Sequence, residues 1–283
     1  MEREILMKNL VYLTGKERAL DQLKMAQVRR IAAGLREKLR EMPLIDRESV
    51  GDLLRAFRVK DLEEEALTAE LCREIVKQMP ELTPALFFPA PEEAEGKLSV
   101  SYMRNAHSDR AFAAFAAQMP GLAPSPAVSH ADCCEDVFEA NADACILPLS
   151  TGKDGILTSF CALAEQHELA VSAVTRIEMP QAGDYTAFAL MKRRCEFSGH
   201  ATFFAFAIHE DLLPRLGEIL CAVQALGGRL TKIDAVPVGK ESPGFLYLMV
   251  ADVAHAELAA VLLYLEITAP SYLSFGLFDP IEA

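Results

Sequence analysis

The chain of 283 residues is 51% hydrophobic and 24% charged, the balance of a globular protein long enough for two or three compact units and too apolar for disorder. A formal net charge of −13, with no basic run to offset it, repels phosphate backbones and anionic lipid and makes nucleic acid a poor partner. No apolar stretch approaches the roughly 20 residues that cross a bilayer, and the opening "MEREILMKN" lacks the apolar core of a signal peptide, so a cytoplasmic protein with no membrane contact is expected.

Residues Arg18 to Met79 carry apolar positions at helical spacing, as in "ALDQLKMAQVRRIAAGLREKLREM" and "EEEALTAELCREIVKQM". Pro43 punctuates this all-helical region, Asp46 is placed to cap a helix starting near Arg47, and a second break falls near Lys60 to Glu63. Pro80, Pro84, Pro89 and Pro91 then exclude helix and central strand alike and mark a linker. From Lys97, short β-type runs alternate with helical ones through "KLSVSYM", "SDRAFAAFAAQM", "PAVSH", "CEDVFEANA", "ACILPLS", "GILTSFCALAEQH", "LAVSAVTRIEM" and "TAFALMKR". That alternation predicts an α/β layer with a largely parallel sheet. After Gly199 the order is strand, helix, strand, strand, helix, strand, which is ferredoxin-like. The expected fold is multi-domain α and α/β: a helical region over 1–80, a proline-rich linker over 81–96, an α/β lobe over 97–196 and a ferredoxin-like unit over 197–283.

The residues that carry reactive chemistry are scattered. Seven cysteines, at 72, 133, 134, 145, 161, 195 and 221, form no C-x-x-C pair and read as reduced thiols, mostly buried. Cys133 and Cys134 head a short helix, where packing is the better reading than an activated thiolate. The six histidines show no ligand spacing, so no metal is expected. "TGKDG" lacks the spacing of a phosphate loop. The hydroxyls of Ser150, Thr151 and Thr186 read as turn chemistry, capping a helix at Asp154, with ligand binding as the alternative.

Four stretches carry a family resemblance. "ALGGRLTKIDAVP" is similar to the small turn, Leu-Thr-Lys/Arg-Ile run and following box of ACT regulatory domains. "CEDVFEANADACILPLSTGKDG" and "DYTAF" resemble the segments of prephenate dehydratases that carry Pro-Ile-Glu-Asn-Ser and Asn-x-Thr-Arg-Phe. "RRIAAGLREKLREMPLIDRESVGDLL" resembles the chorismate mutase helices fused to them in the bifunctional enzyme. The resemblance implies a chorismate mutase-like helical domain, a prephenate dehydratase-like lobe, and an ACT-like domain, in aromatic amino-acid and specifically phenylalanine metabolism.

What the resemblance implies for sites is mixed. In the helical region Arg29, Arg40, Arg47, Glu48 and Gln78 stand at mutase-like positions and would converge on a dicarboxylate; an Arg- and Glu-rich helix equally reads as a solvated face. In the dehydratase-like region Ser150 and Thr151 replace the glutamate and asparagine, and Ala187 replaces the arginine beside Thr186. Only one of the family's two lobes is accounted for between Lys97 and Arg194. At the ACT effector positions stand Leu216 and Asp234, with Pro214 and Arg215 in the first helix and most ligand-binding groups lost. The expectation is a degenerate, non-dehydrating, small-molecule-binding or regulatory protein. The alternatives are mutase activity in the helical domain and, more weakly, an active dehydratase. No cofactor is implied, and the ligand would be chorismate, prephenate or an amino acid. A homodimer or higher oligomer is expected, because "FFAFAIH" and "FLYLMVAD" are too apolar for lone sheet edges.

Overall fold

The computed structural model describes residues 2–42, 45–56, 65–88, 97–179, 184–197, 199–238 and 244–282. Pro43, Leu44, the break near Lys60 to Glu63, and Pro89 and Pro91 of the linker lie outside the described residues. Three helices come first: α1 (Glu2–Glu41), α2 (Arg47–Ala56) and α3 (Glu65–Gln78). Val28, Ala32, Leu35 and Leu39 recur at steps of three and four, making one buried stripe on α1 that packs with α3. The Asp46 carboxylate caps α2, accepting from the Ser49 N–H at 2.8 Å; that backbone bond holds its pKa below the usual carboxylate range. Beyond α3, Pro84–Leu86 forms a single 3₁₀ turn.

The next region contains β1 (Leu98–Met103), α4 (Ala106–Gln118), β2 (Leu122–Ala127), α5 (His130–Phe138), β3 (Ala144–Thr151), β4 (Gly155–Ile156), α6 (Thr158–Gln166), β5 (Ala170–Glu178) and β6 (Tyr185–Lys192). Asn105 starts α4 with a reciprocal cap: its side chain accepts from Ser108 N, and Ser108 Oγ accepts from Asn105 N at 3.2 Å. The expected largely parallel sheet holds only for β2, β1 and β3. β6 runs antiparallel to both β3 and β5. The link from Glu178 to Tyr185 is too short for the crossover of a dozen or more residues that parallel neighbours require. The cap foreseen at Asp154 is also different, because the segment after Thr151 is the turn of the β3–β4 hairpin and the helix starts at Thr158.

The C-terminal region has β7 (Phe203–His209), α7 (Leu216–Ala225), β8 (Arg229–Val238), β9 (Gly244–Asp252), α8 (Leu258–Thr268) and β10 (Leu273–Ile281). Its sheet order is β10-β7-β9-β8, with the β-α-β-β-α-β chain order expected from the sequence. Pro214 sits in the 3₁₀ helix Glu210–Arg215 ahead of α7, so its missing N–H costs α7 no hydrogen bond. β7 and β9 are interior strands, which corrects the reading of them as edges; the outer strand is β8.

This sheet is buried on both faces. Phe204, Phe206 and Met249 join one core with α7, α8 and the three N-terminal helices. Ala205, Ala207 and Leu248 face the other way and join Leu147, Phe160 and Val171 of the α/β lobe. The apolar runs follow from that, since a strand covered on both faces has no polar alternation. One strand stitches the halves together. β10 pairs with β7 through Phe278, then leaves to pair in parallel with β5 at Asp279, Pro280 and Ile281.

At the irregularity in β10 before that transfer, Gly276 has φ +130°, and a Cβ there would run into the Val171 backbone. A positive φ costs an L-residue about 1–2 kcal/mol, and the backbone clash adds to it. Gly276→Ala is expected to lower stability by about 3 kcal/mol or more, read as an earlier urea midpoint at unchanged slope.

Candidate functional site

The sheet of the α/β lobe and the C-terminal sheet face each other across a cavity of about 570 Å³. Strand alternation decides which side chains reach it. On β6, Tyr185 and Ala187 line the cavity, whereas Phe188 and Leu190 belong to the core under α4. Thr186 shares their parity and so points away from the cavity. On β3 a register shift between Pro148 and Ser150 lets both Leu149 and Ser150 line the wall. Ser150 is only 6% exposed and lines the cavity. Thr151 serves the hairpin: its Oγ1 accepts from Asp154 N and donates to Asp154 Oδ2, each at 2.9 Å. Of the three expected ligand-binding hydroxyls, the structure brings only Ser150 to the cavity.

The two cations at the mouth, Arg176 and Lys232, are not among the site residues expected from the sequence. Arg176 of β5 lays its guanidinium 3.8 Å from the centre of the Tyr185 ring, and its Nε meets Glu178 Oε1 at 2.8 Å. Lys232 of β8 stands across the cavity, with Nζ 3.2 Å from Asp234 Oδ2. The β3–β4 hairpin covers this end: Gly152 N donates to Tyr185 O at 3.0 Å, and Asp234 lies against Gly155. Arg176 is a lone cation in an apolar strand, and nothing local in the sequence marks it. Only the pairing of β5 with β6 puts it over Tyr185.

Asp234 thus faces the α/β lobe, whereas Leu216 packs into the core on the helical side of the C-terminal sheet. The two positions expected at an effector site are on opposite faces of that sheet. Arg215 closes the end of α8, its Nη1 donating to Thr268 O at 2.8 Å.

The mutase-like set is dispersed in a different way. Arg29, Arg40 and Glu48 are exposed. Arg47 does not join them on a shared anion, because its Nε and Nη2 both contact Glu266 Oε1 of α8, at 2.7 and 2.6 Å. Tyr272 lies beneath the same guanidinium, 5.5 Å from Cζ to ring centre, and burial pushes its phenol pKa well up. Gln78 donates to Glu74 Oε1 at 2.8 Å within its own helix.

The cysteines Cys72, Cys133, Cys134, Cys145 and Cys161 are buried, and all seven are free thiols. Burial pushes Cys133 up to about 11 despite its place at the start of α5, and Cys161 up to about 12, so neither is a ready nucleophile at neutral pH. No group of three His, Cys, Asp or Glu suited to a metal occurs among the described residues, and no described helix is long and apolar enough to cross a membrane.

No family model matches the chain, and no curated protein matches its sequence. Similarity appears among solved structures. Prephenate dehydratase from Streptococcus mutans superposes with a TM-score of 0.53 at 18% identity, over 65% of this chain and 100% of that one. GqqA, described as a novel type of quorum quenching acylase, gives 0.50 at 17% identity, over 64% of this chain and 94% of that one. At these identities the likeness is one of fold, and the chain has a prephenate dehydratase-like fold.

Arg47 is 42% exposed and Glu266 7%, so removing the cation strands a carboxylate in a nearly dry place. Breaking a fully buried pair costs about 3–5 kcal/mol. Because water reaches Arg47, Arg47→Ala is expected to cost less, about 2–3 kcal/mol in urea denaturation. Combining Arg47→Met with Glu266→Leu should recover most of that loss, since an apolar pair leaves no charge unpaired.

Proposed function

We propose that the chain works in aromatic amino-acid metabolism, specifically that of phenylalanine, as a degenerate relative of the bifunctional chorismate mutase/prephenate dehydratase. On this reading it binds a small molecule or regulates, and does not dehydrate prephenate. The observation that carries the proposal is the wall of the cavity at the motif positions, which offers Leu149, Ser150 and Ala187. Prephenate has two carboxylates and loses a hydroxyl together with carbon dioxide. Catalysis therefore needs forks or convergent donors for both anions and a proton donor at the leaving oxygen. Ser150 supplies one hydroxyl, and Thr186, the residue best matched to the family motif, lies on the other side of its strand.

The test is phenylpyruvate formation from prephenate at neutral pH. The unaltered protein is expected to match the buffer control, and Ala187→Arg is expected to stay at that level, because one restored cation leaves the remaining groups unchanged. Turnover by the unaltered chain would overturn the proposal.

A cytoplasmic homodimer or higher oligomer belongs to the same reading. Its support is β8, a ten-residue strand that pairs with β9 on one side only and holds Ile233 exposed. Light scattering at micromolar concentration should give at least twice the 31.0 kDa chain mass; a monomer mass would count against it.

A further inference from the structure

The protein carries a net charge of −13, yet among the described residues the charged side chains lining the cavity between the two sheets are the cations Arg176 and Lys232. The carboxylates near the mouth, Glu178 and Asp234, hold those cations from outside the lining. Arg176 holds its guanidinium carbon 3.8 Å from the centre of the Tyr185 ring, a contact that does not consume its terminal nitrogens. Beyond the mouth the walls are apolar, contributed by side chains such as Phe160, Phe203 and Phe278, and the buried polar side chain among the described lining residues is Ser150. The volume lies within the usual range for small-molecule sites, about 300–1,000 Å³.

From this juxtaposition we propose that the cavity binds an amphipathic monocarboxylate, with its carboxylate at Arg176 and Lys232 and an aliphatic or phenylalkyl body against the apolar walls. A dicarboxylate is disfavoured because the deep end has no second cation. The inference rests on the ligand-binding reading of this same site given above, and it does not depend on the pathway.

Isothermal titration of the full chain with octanoate and hydrocinnamate, and with the corresponding neutral amides, tests it. At least one acid should bind and its amide should bind at least tenfold more weakly, at equal apolar bulk. Arg176→Gln and Lys232→Gln alter partly exposed side chains and should each weaken the acid at least tenfold while leaving the thermal midpoint of the unliganded protein unchanged. Ala205→Leu, which fills the wall, should abolish binding. Failure of both acids to bind, equal affinity for acid and amide, or an unaffected Arg176→Gln variant overturns the inference. Phenylpyruvate formed from prephenate by the same sample overturns the non-dehydratase reading instead, so the two failures are distinguishable.

Discussion

Glu266 is the one ionisable carboxylate in a helix that has no exposed face. From Leu258 to Ile267 every residue of α8 is buried, with the C-terminal sheet on one side and α2 and α3 on the other. A lone carboxylate there would drive its own protonation or the opening of the layer. Arg47 answers it from the first turn of α2, and Asp46, one residue earlier, caps that turn. Cap and ion pair together fix where the N-terminal helices sit on the C-terminal unit. The apolar stripe of α1 then has a defined surface to continue, and the helical region and the C-terminal unit share a single core.

The opposite face of the same sheet meets the α/β lobe less completely. Near Leu147 and Phe160 the two sheets close into packed core, but towards the β3–β4 hairpin they diverge around the cavity. Two twisted sheets joined along a shared strand diverge with distance from that strand. The gap is thus a product of sheet geometry, and its chemistry is set by whichever side chains have the right parity. Parity gives it Tyr185 and Ala187 and withholds Thr186; it gives Arg176 and Lys232 and leaves the neighbouring acids outside.

Much of this was legible from residue pattern. The change from helical to alternating period near Lys97, and the β-α-β-β-α-β order after Gly199, both appear in the structure, as does the Asp46 cap. Strand direction was not legible, because an apolar run reports burial on two faces and says nothing about the orientation of its neighbours. The short link between β5 and β6 was the available signal for a hairpin. Two of the three hydroxyls misled for a different reason: a motif match does not settle which face of a strand a residue takes or whether its hydroxyl is used locally, and Thr186 falls on the far side of β6 while Thr151 bonds Asp154 in the hairpin turn. Arg47 read as a site residue because its partner is more than two hundred positions away, and no local spacing announces a contact of that range.

The transfer of β10 from one sheet to the other also orders events in time. β5 obtains its second neighbour only from Asp279, Pro280 and Ile281, roughly a hundred residues downstream of Ala173 and close to the last described position. Until that segment is available, during synthesis or refolding, the lobe carries an open edge of apolar β-structure beside β6. Closing so long a loop is entropically slow, and open edges pair with other chains while they wait. The seam that makes one continuous sheet of the finished protein is therefore a long-range closure, and the edge of β5 is exposed for as long as that closure takes.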